Sequence, residues 1–412
     1  MIPIVINRYT PYLRPWRRAL LLLAGTLATI SLPPAMARSD ACEMAAWPLW
    51  QTYAARFVQA DGRMLESSAE PNQSSSEGQS YGMFFALIGN DQARFDTLWQ
   101  WTVANMAGAD LSNRLPGWLW GQGKDGLWQL QDANSASDSD LWIAYSLLEA
   151  ARVWQRPDYR EAALQLLKNI EAKLVVSLPG LGKMVLPGPQ GFVQPDHLWR
   201  LNPSYLPLPL LRRLAKEAPT GPWKEIAENT VKMVKASSPG GYVADWVGYR
   251  ATGPQSGLFV VDPVKGGQGS YDAIRVYLWA GMTPKSDPLA APLLARLDGM
   301  SSSTASAGIP PEKVQVMSGL FEGQGPFGFS AALIPYFQAK AQPWLAQMQQ
   351  RRVEQALNTA LASAEGERTE LLYYNAMLSL FALGWVEKRY QFRDDGTLKL
   401  TWETSCVRTA IR

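Results

Sequence analysis

Apolar residues recur at helical spacing through about twelve successive stretches of this chain, and few stretches alternate in the manner of strands. That pattern constrains the fold more than any other feature of the sequence. The stretches lie near 43–58, 79–89, 91–107, 138–154, 157–174, 204–216, 221–236, 270–281, 286–299, 328–339, 343–364 and 367–386. In one of them Ser286-Asp287-Pro288 supplies a cap and a first-position proline. Leu289, Leu293, Leu294 and Leu297 then share a face, and Gly299 reads as the stop. Leu371 to Leu383 is apolar nearly all round, with Gly384 after it, which predicts a buried helix. Strand signals are confined to Lys183-Met184-Val185-Leu186 and to Tyr390–Arg393 with Thr397–Leu400 around Asp394-Asp395-Gly396. Sequential helices with short connections predict an all-α ring of helical hairpins with small β-hairpin additions rather than a doubly wound sheet. Periodicity does not separate a ring from an α-solenoid, although no repeat of fixed period supports the solenoid.

The N-terminus reads as an address. Arg14, Arg17 and Arg18 precede the apolar run Ala19–Ala24, which continues to Leu32 and ends in Pro33-Pro34-Ala35-Met36-Ala37. This order of charged, apolar and small residues is that of a secretory signal, with cleavage expected after Ala37. Gly25 and Thr26 interrupt the apolar run and leave it short for a membrane span, so no anchor is expected after cleavage. Residues 38–412 contain no low-complexity divider and read as a single domain, with Ser301–Gly308 as a surface loop. The leader takes four arginines and no acids with it, leaving 35 basic against 36 acidic residues. The formal +3 of the whole chain is therefore a property of the leader, and a near-neutral mature protein does not suit a nucleic-acid partner. Export to the periplasm or beyond permits disulfides, and Cys42 and Cys406, near opposite ends of the mature chain, are expected to pair.

Composition also limits the chemistry. One histidine cannot build a multi-histidine metal site and two cysteines cannot build a four-cysteine zinc site; no metal or cofactor constellation is evident. Gly78-Gln79-Ser80-Tyr81-Gly82 matches the G-x-S-x-G elbow of serine hydrolases, with His197 as the one available base. The elbow requires a buried strand in front of it, whereas Glu70-Pro71-Asn72-Gln73-Ser74-Ser75-Ser76 is too polar for one. His197 then reads as a hydrogen-bonded loop side chain.

Proton transfer is left to carboxylates. Glu77 heads an apolar helix, Asp138 and Asp140 head another, and Asp272 precedes Arg275 by three positions, so acid and guanidinium can share a helix face. Acids at helix starts are commonly plain caps. The neighbourhood argues for more, because Trp118, Trp120, Trp128, Trp142, Trp199, Tyr205, Trp246 and Tyr249 cluster in turns and helix starts. Large rings with a polar edge suit a wet cleft, and sugar rings present apolar C–H faces to such surfaces. Glycosidic bonds are cleaved by two carboxyl groups, one protonated and one ionised. Arg275 is expected to hold Asp272 ionised, while Glu77 needs a neighbouring carboxylate or desolvation to stay protonated against the pull of the helix N-terminus.

At these residues the chain resembles glycoside hydrolase family 8. Ala136-Ser137-Asp138-Ser139-Asp140-Leu141-Trp142-Ile143-Ala144-Tyr145 through Ala150, followed by Trp154, is similar to the family signature, departing from it at Ser139, where glycine or alanine is usual. The resemblance extends through Glu77–Met83, Arg114–Trp120, Asn202–Leu206 and Ser270–Tyr277, and is strongest to the periplasmic endoglucanases encoded with bacterial cellulose synthases. It implies an (α/α)6 barrel and hydrolysis of internal β-1,4 bonds of cellulose with inversion. It implies Glu77 as general acid, Asp272 as general base, and Asp138 in sugar binding and distortion, a residue also described in such families as a nucleophile. Tyr205, Tyr271 and Arg275 would support the attacking water and the base, and Trp118, Trp120 and Trp199 would bind sugar. The implied partners are β-1,4-glucan chains and a cellulose synthase or export complex. A glucan-binding accessory protein without turnover, or a same-fold hydrolase of xylan, chitosan or mixed-linkage glucan, stays open at this point.

Overall fold

The computed structural model describes residues 47–66, 73–362 and 372–403, all within one compact unit spanning Asp40–Arg412. The expected signal, residues 1–37, and the expected Cys42–Cys406 pair lie outside the described residues.

Thirteen α-helices are present among the described residues: α1 (Pro48–Phe57), α2 (Ser76–Ile88), α3 (Gln92–Met106), α4 (Ser137–Trp154), α5 (Pro157–Leu174), α6 (Leu208–Glu217), α7 (Trp223–Ser237), α8 (Ile274–Met282), α9 (Ala290–Leu294), α10 (Asp298–Ala307), α11 (Phe327–Ala339), α12 (Pro343–Ala362) and α13 (Leu372–Val386). They sort by burial into two layers. Helices α2, α4, α8, α11 and α13 are enclosed on nearly every side, and α8 buries all nine of its residues. Helices α3, α5, α7 and α12 bury one face only, as their polar opposite faces dictate. Along the chain an inner helix packs on the outer helix that follows it: α2 on α3, α4 on α5, α6 on α7, α11 on α12, with α9 beside α8 and α1 closing against α13. This is an (α/α)6 barrel.

Aromatic side chains of the inner ring fill its centre. Phe84 of α2 stacks on Phe381 of α13 with centroids 5.4 Å apart, and Trp142 of α4 lies 4.8 Å from Phe84 and 5.3 Å from Trp279 of α8. Each such pair adds about 0.5–1.5 kcal/mol beyond its buried area. Inner helices approach closely where a side chain is missing: a Cβ on Gly281 of α8 would sit 2.2 Å from the backbone nitrogen of Tyr336 in α11.

Fourteen short strands decorate the ring among the described residues. Strand β5 (Gly182–Val185) and the hairpin β13–β14 (Tyr390–Phe392, Leu398–Leu400) occur at the expected strand signals, and β5 pairs with an unexpected β4 (Val175–Leu178). Two larger additions were not foreseen. One is a three-stranded sheet of β1 (Ser74–Ser75), β2 (Leu119–Gln122) and β3 (Trp128–Asp132). The other is a four-stranded antiparallel sheet, β6 (Val193–Gln194), β7 (Leu198–Leu201), β8 (Val247–Gly253) and β9 (Ser256–Val261). A third small sheet joins β10 (Gln268–Gly269) to β11 (Lys313–Gln315) and β12 (Phe321–Glu322).

Two local expectations need correction. The helix expected over 286–299 is instead the short α9 followed by a break, Pro292 standing inside the first and Gly299 inside the next helix. The serine-rich run 301–308, expected as a loop, is most of α10. Its small residues Ser301, Ser303 and Thr304 are buried, and Gly308 ends it at φ 76°.

Candidate active site

Inner helices begin at a common site. The starts of α2, α4 and α8, the 3₁₀ turn Pro203–Tyr205 ahead of α6 and the start of α13 are tied together by side-chain contacts, so a first-turn residue on any of them faces the others. Helix N-termini carry free N–H groups and the positive end of the helix dipole, which suits carboxylates.

Glu77 lies in the first turn of α2. Ser75 caps this helix, its hydroxyl accepting from the Gly78 N–H at 3.1 Å and donating to Glu66. Strand β1 immediately ahead pairs with β2, and Ser76 N–H donates to the Trp118 carbonyl at 2.9 Å, so the acid and the tryptophan-bearing hairpin are positioned by one short ladder. Gly78 is required by proximity: a Cβ there would lie 2.8 Å from Glu66 Oε1 and 3.1 Å from the Tyr373 hydroxyl.

Arg275 is the centre of the arrangement. Its side chain is 4% exposed; Nη1 donates to Glu77 and lies 3.8 Å from Asp138, while Nη2 donates to Asp272 at 2.7 Å and to Ser204 Oγ at 3.3 Å. Tyr81, one helical turn after Glu77, places its hydroxyl 3.4 Å from Nη1. The expected pairing of Arg275 with Asp272 is present, but the same cation also holds Glu77, so one positive charge serves three carboxylates. The two carboxylates accept from different terminal nitrogens of one rigid, planar guanidinium, which fixes how they are spaced.

Asp138 is the deepest of the three, with Oδ1 accepting from the Ser139 N–H at 2.7 Å and from the Ser139 hydroxyl at 3.3 Å. Burial is the main influence on it. Together with the charges of Glu77 and Asp272 it pushes the Asp138 carboxyl up to about 7, against the opposing pull of Arg275 and the Ser139 amide. The departure from the family pattern at Ser139 thus supplies a donor that glycine or alanine lacks. Asp140 is fully buried; burial drives its carboxyl well above the ordinary range, with Ser135 opposing and the charge of Asp138 adding to the rise.

Tyr205 sits on the 3₁₀ turn capped by Asn202, with the Arg275 guanidinium 5.9 Å from its ring centroid. Burial and then the charges of Asp138 and Asp272 raise its hydroxyl well above the usual phenol range. Tyr271 is placed differently from expectation: its hydroxyl donates to Glu312 Oε1 at 3.0 Å, and its carbonyl accepts from the Tyr374 hydroxyl. It therefore holds the turn that carries Asp272 through its backbone.

Of the expected sugar-binding rings, Trp118 is 38% exposed on the acid side and Trp199 half-buried on β7. Trp120 has little free face, being 9% exposed between Trp101 and Trp128, with Arg63 above the ring at 4.6 Å. Trp128, stacked on it and 45% exposed, is the accessible ring of that cluster. On the other side Trp246 stacks on Phe192 and meets Tyr205 edge-on at 6.1 Å.

The serine hydrolase arrangement is absent. Ser80 is fully buried inside α2, its hydroxyl donating to the Glu77 carbonyl at 2.8 Å, and the strand ahead is a two-residue edge. His197 is exposed in the turn between β6 and β7, where its backbone carbonyl, not its ring, accepts from the Ala251 N–H. Among the described residues no cluster of His, Cys, Asp or Glu could hold a metal ion, and no helix is long and apolar enough to cross a membrane.

Several contributors escaped the sequence. Tyr81 could have been found from its four-residue spacing to Glu77, and Ser204 lies within the quoted Asn202–Leu206 motif. Glu66, Asp245 and Tyr374 carry no local signal, because tertiary contacts alone bring them to the site.

Comparison with known proteins follows the same residues. The model of the glycosyl hydrolases family 8 matches residues 25–388. An endoglucanase of Pseudomonas fluorescens is 55% identical over 380 residues, covering 90% of this chain and 95% of that protein. An endoglucanase of Escherichia coli K12 is 39% identical, covering 94% of this chain and 99% of its own length. The crystal structure of an endo-1,4-D-glucanase from Vibrio fischeri superimposes with a TM-score of 0.77 at 38% identity, covering 86% of this chain and 99% of that one.

Proposed function

The chain belongs to the glycosyl hydrolases of family 8 and is an endo-1,4-β-glucanase, and from that premise we propose that it cleaves by inversion, with Glu77 as general acid and Asp272 as general base. The observation that carries this reading is the placement of the two carboxylates on opposite terminal nitrogens of one buried guanidinium.

Water attacks the anomeric carbon as it passes a proton to Asp272, and the bond to the leaving oxygen breaks as Glu77 delivers its proton there. The reaction draws on no cofactor and forms no covalent intermediate. Asp138, deep and pushed toward its neutral form, is suited to hydrogen-bond and distort the sugar at the cleavage point rather than to attack it. Tyr205 and Arg275 border the water, while Trp118, Trp128 and Trp199 give glucose rings an apolar floor.

The leader over residues 1–37 and the near-neutral mature domain over 38–412 support export to the periplasm or beyond. There the enzyme would trim uncharged cellulose chains beside a synthase or export complex.

Reducing-end release from carboxymethylcellulose tests the assignment. Glu77→Gln and Asp272→Asn are expected to lose activity while Ser80→Ala keeps it; activity lost in Ser80→Ala alone refutes the carboxylate mechanism. Proton NMR of the first product is expected to show the α-anomer, and a β-anomer refutes inversion.

A further inference from the structure

The turn that carries the base has an unusual support. Helix α8 starts without a side-chain cap of its own, Ala273 being its N-cap residue. The missing cap comes from Asp245, in the segment between α7 and β8. Asp245 Oδ1 accepts three backbone N–H groups at once, from Ser270 at 2.8 Å, Asp272 at 3.1 Å and Ala273 at 2.8 Å. Its own N–H donates to the Gln268 carbonyl at 2.8 Å, fixing it to the strand that leads into the turn. One oxygen therefore gathers the amide of Asp272 itself and those of Ser270 and Ala273 beside it. No hydrogen bond to Oδ2 and no basic partner for the carboxyl are found among the described residues, and Oδ2 is not sealed from solvent.

We propose that Asp245 is a positioning residue for the general base, fixing the Asp272 turn through Oδ1 and placing a second negative charge behind Asp272. The inference rests on the assignment of Asp272 as base. Its electrostatic logic follows from the reaction. Asp272 begins anionic and ends protonated, so above about pH 6, where Asp245 is ionised, repulsion from Asp245 is present in the ground state and relieved as the proton arrives from water. An interaction relieved on the way to the transition state accelerates the step. Burial and the charge of Asp272 lift the Asp245 carboxyl to about 6 against the three amides, so the two acids sense each other. Tyr374 on α13 also senses the Asp245 charge, and its hydroxyl is committed to the Tyr271 carbonyl.

The test uses the mature enzyme with cellohexaose, following kcat and KM across pH 4–9. In Asp245→Asn the amide oxygen can still accept the three N–H groups while the charge is gone. KM is expected to stay within about twofold, kcat at the optimum to fall about 5–20-fold, and the acid limb to move to lower pH by about half a unit. In Asp245→Ala, which loses the cap as well, kcat is expected to fall about 100-fold or more with the circular dichroism spectrum retained. An acid limb in Asp245→Asn that superimposes on wild type overturns the proposal. If that variant fails to fold, Asp245→Glu decides: with the charge kept, the acid limb stays at the wild-type position, and a limb moved to lower pH overturns it. Asp272→Asn is measured in parallel. Residual activity above a tenth of wild type there removes the base assignment itself, whereas an inactive Asp272→Asn beside a wild-type-like Asp245→Asn removes the present inference alone.

Discussion

On one side of the site, Glu77 stands on a helix capped by its near neighbour Ser75, with Glu66 behind that cap. On the other side, Asp272 rides on a turn whose cap, Asp245, lies 27 residues away in sequence. The direct counter-charge does not tell the two apart, since Arg275 donates to both. What differs is the support: local and helical for Glu77, assembled from distant segments for Asp272. The two carboxylates thus share one cation and differ in what holds the backbone beneath them.

The comparison breaks most visibly through the leaving group. Both Glu77→Gln and Asp272→Asn are expected to lower kcat by about 10²–10⁴-fold on cello-oligosaccharides. On a dinitrophenyl cello-oligoside, whose departure needs no proton, Glu77→Gln recovers most of its rate and Asp272→Asn does not. Recovery of both, or of Asp272→Asn alone, reverses the assignment.

Arg275→Met should disable both sides together. It removes the partner of the buried Asp138 as well, and denaturant unfolding is expected to show a loss of about 3–5 kcal/mol alongside the loss of activity.

A smaller effect separates the two supports by pH. Burial and the Glu77 charge lift Glu66 to about 7, and Asp245 is lifted to about 6, both above the ordinary carboxyl values of the unfolded chain. A carboxyl raised on folding binds its proton more tightly in the native state, so its contribution to stability is full below about pH 4 and is lost as pH rises through the folded value. Thermal unfolding is expected at a lower temperature at pH 7.5 than at pH 5. Asp245→Asn should flatten this slope near pH 6 and Glu66→Gln near pH 7; a melting temperature that rises steadily from pH 5 to 7.5 contradicts the scheme.

The smallest change expected is for Ser139→Ala, which removes one hydroxyl donor from Asp138 at 3.3 Å. About 0.5–1.5 kcal/mol is at stake, read as a two- to tenfold change in kcat/KM.

Much of this organisation was legible in the sequence because helices announce themselves locally. The spacings that marked 91–107, 138–154 and 157–174 match α3, α4 and α5 to within a residue or so. Glu77, Asp138, Asp272 and Arg275 could be picked out because first-turn acids beside aromatic-rich segments form a compact pattern. The four-stranded sheet was not legible, since β7 and β8 pair Leu198–Leu201 with Val247–Arg250 across most of two helices, and β8 carries glycine, arginine and threonine instead of an alternating apolar run. Helix α10 was missed because serine reads as loop until a neighbouring layer buries it. Trp120 illustrates the same limit at the site: a tryptophan in a cleft motif is indistinguishable from a sugar platform until another ring is seen to cover it.

The contacts of Arg275 also set an order of events in folding. They join positions 198 and 71 residues apart, and the neighbouring Tyr374–Tyr271 bond spans 103 more. Such distant contacts form late, after the entropy of closing long loops has been overcome. A chain made from its N-terminus holds Glu77 long before Asp272, and the cluster around Arg275 exists only once helices from both ends of the barrel stand together. Turnover in this enzyme is thus a reporter of ring closure: a partly wound barrel, however helical, has no site with which to cut.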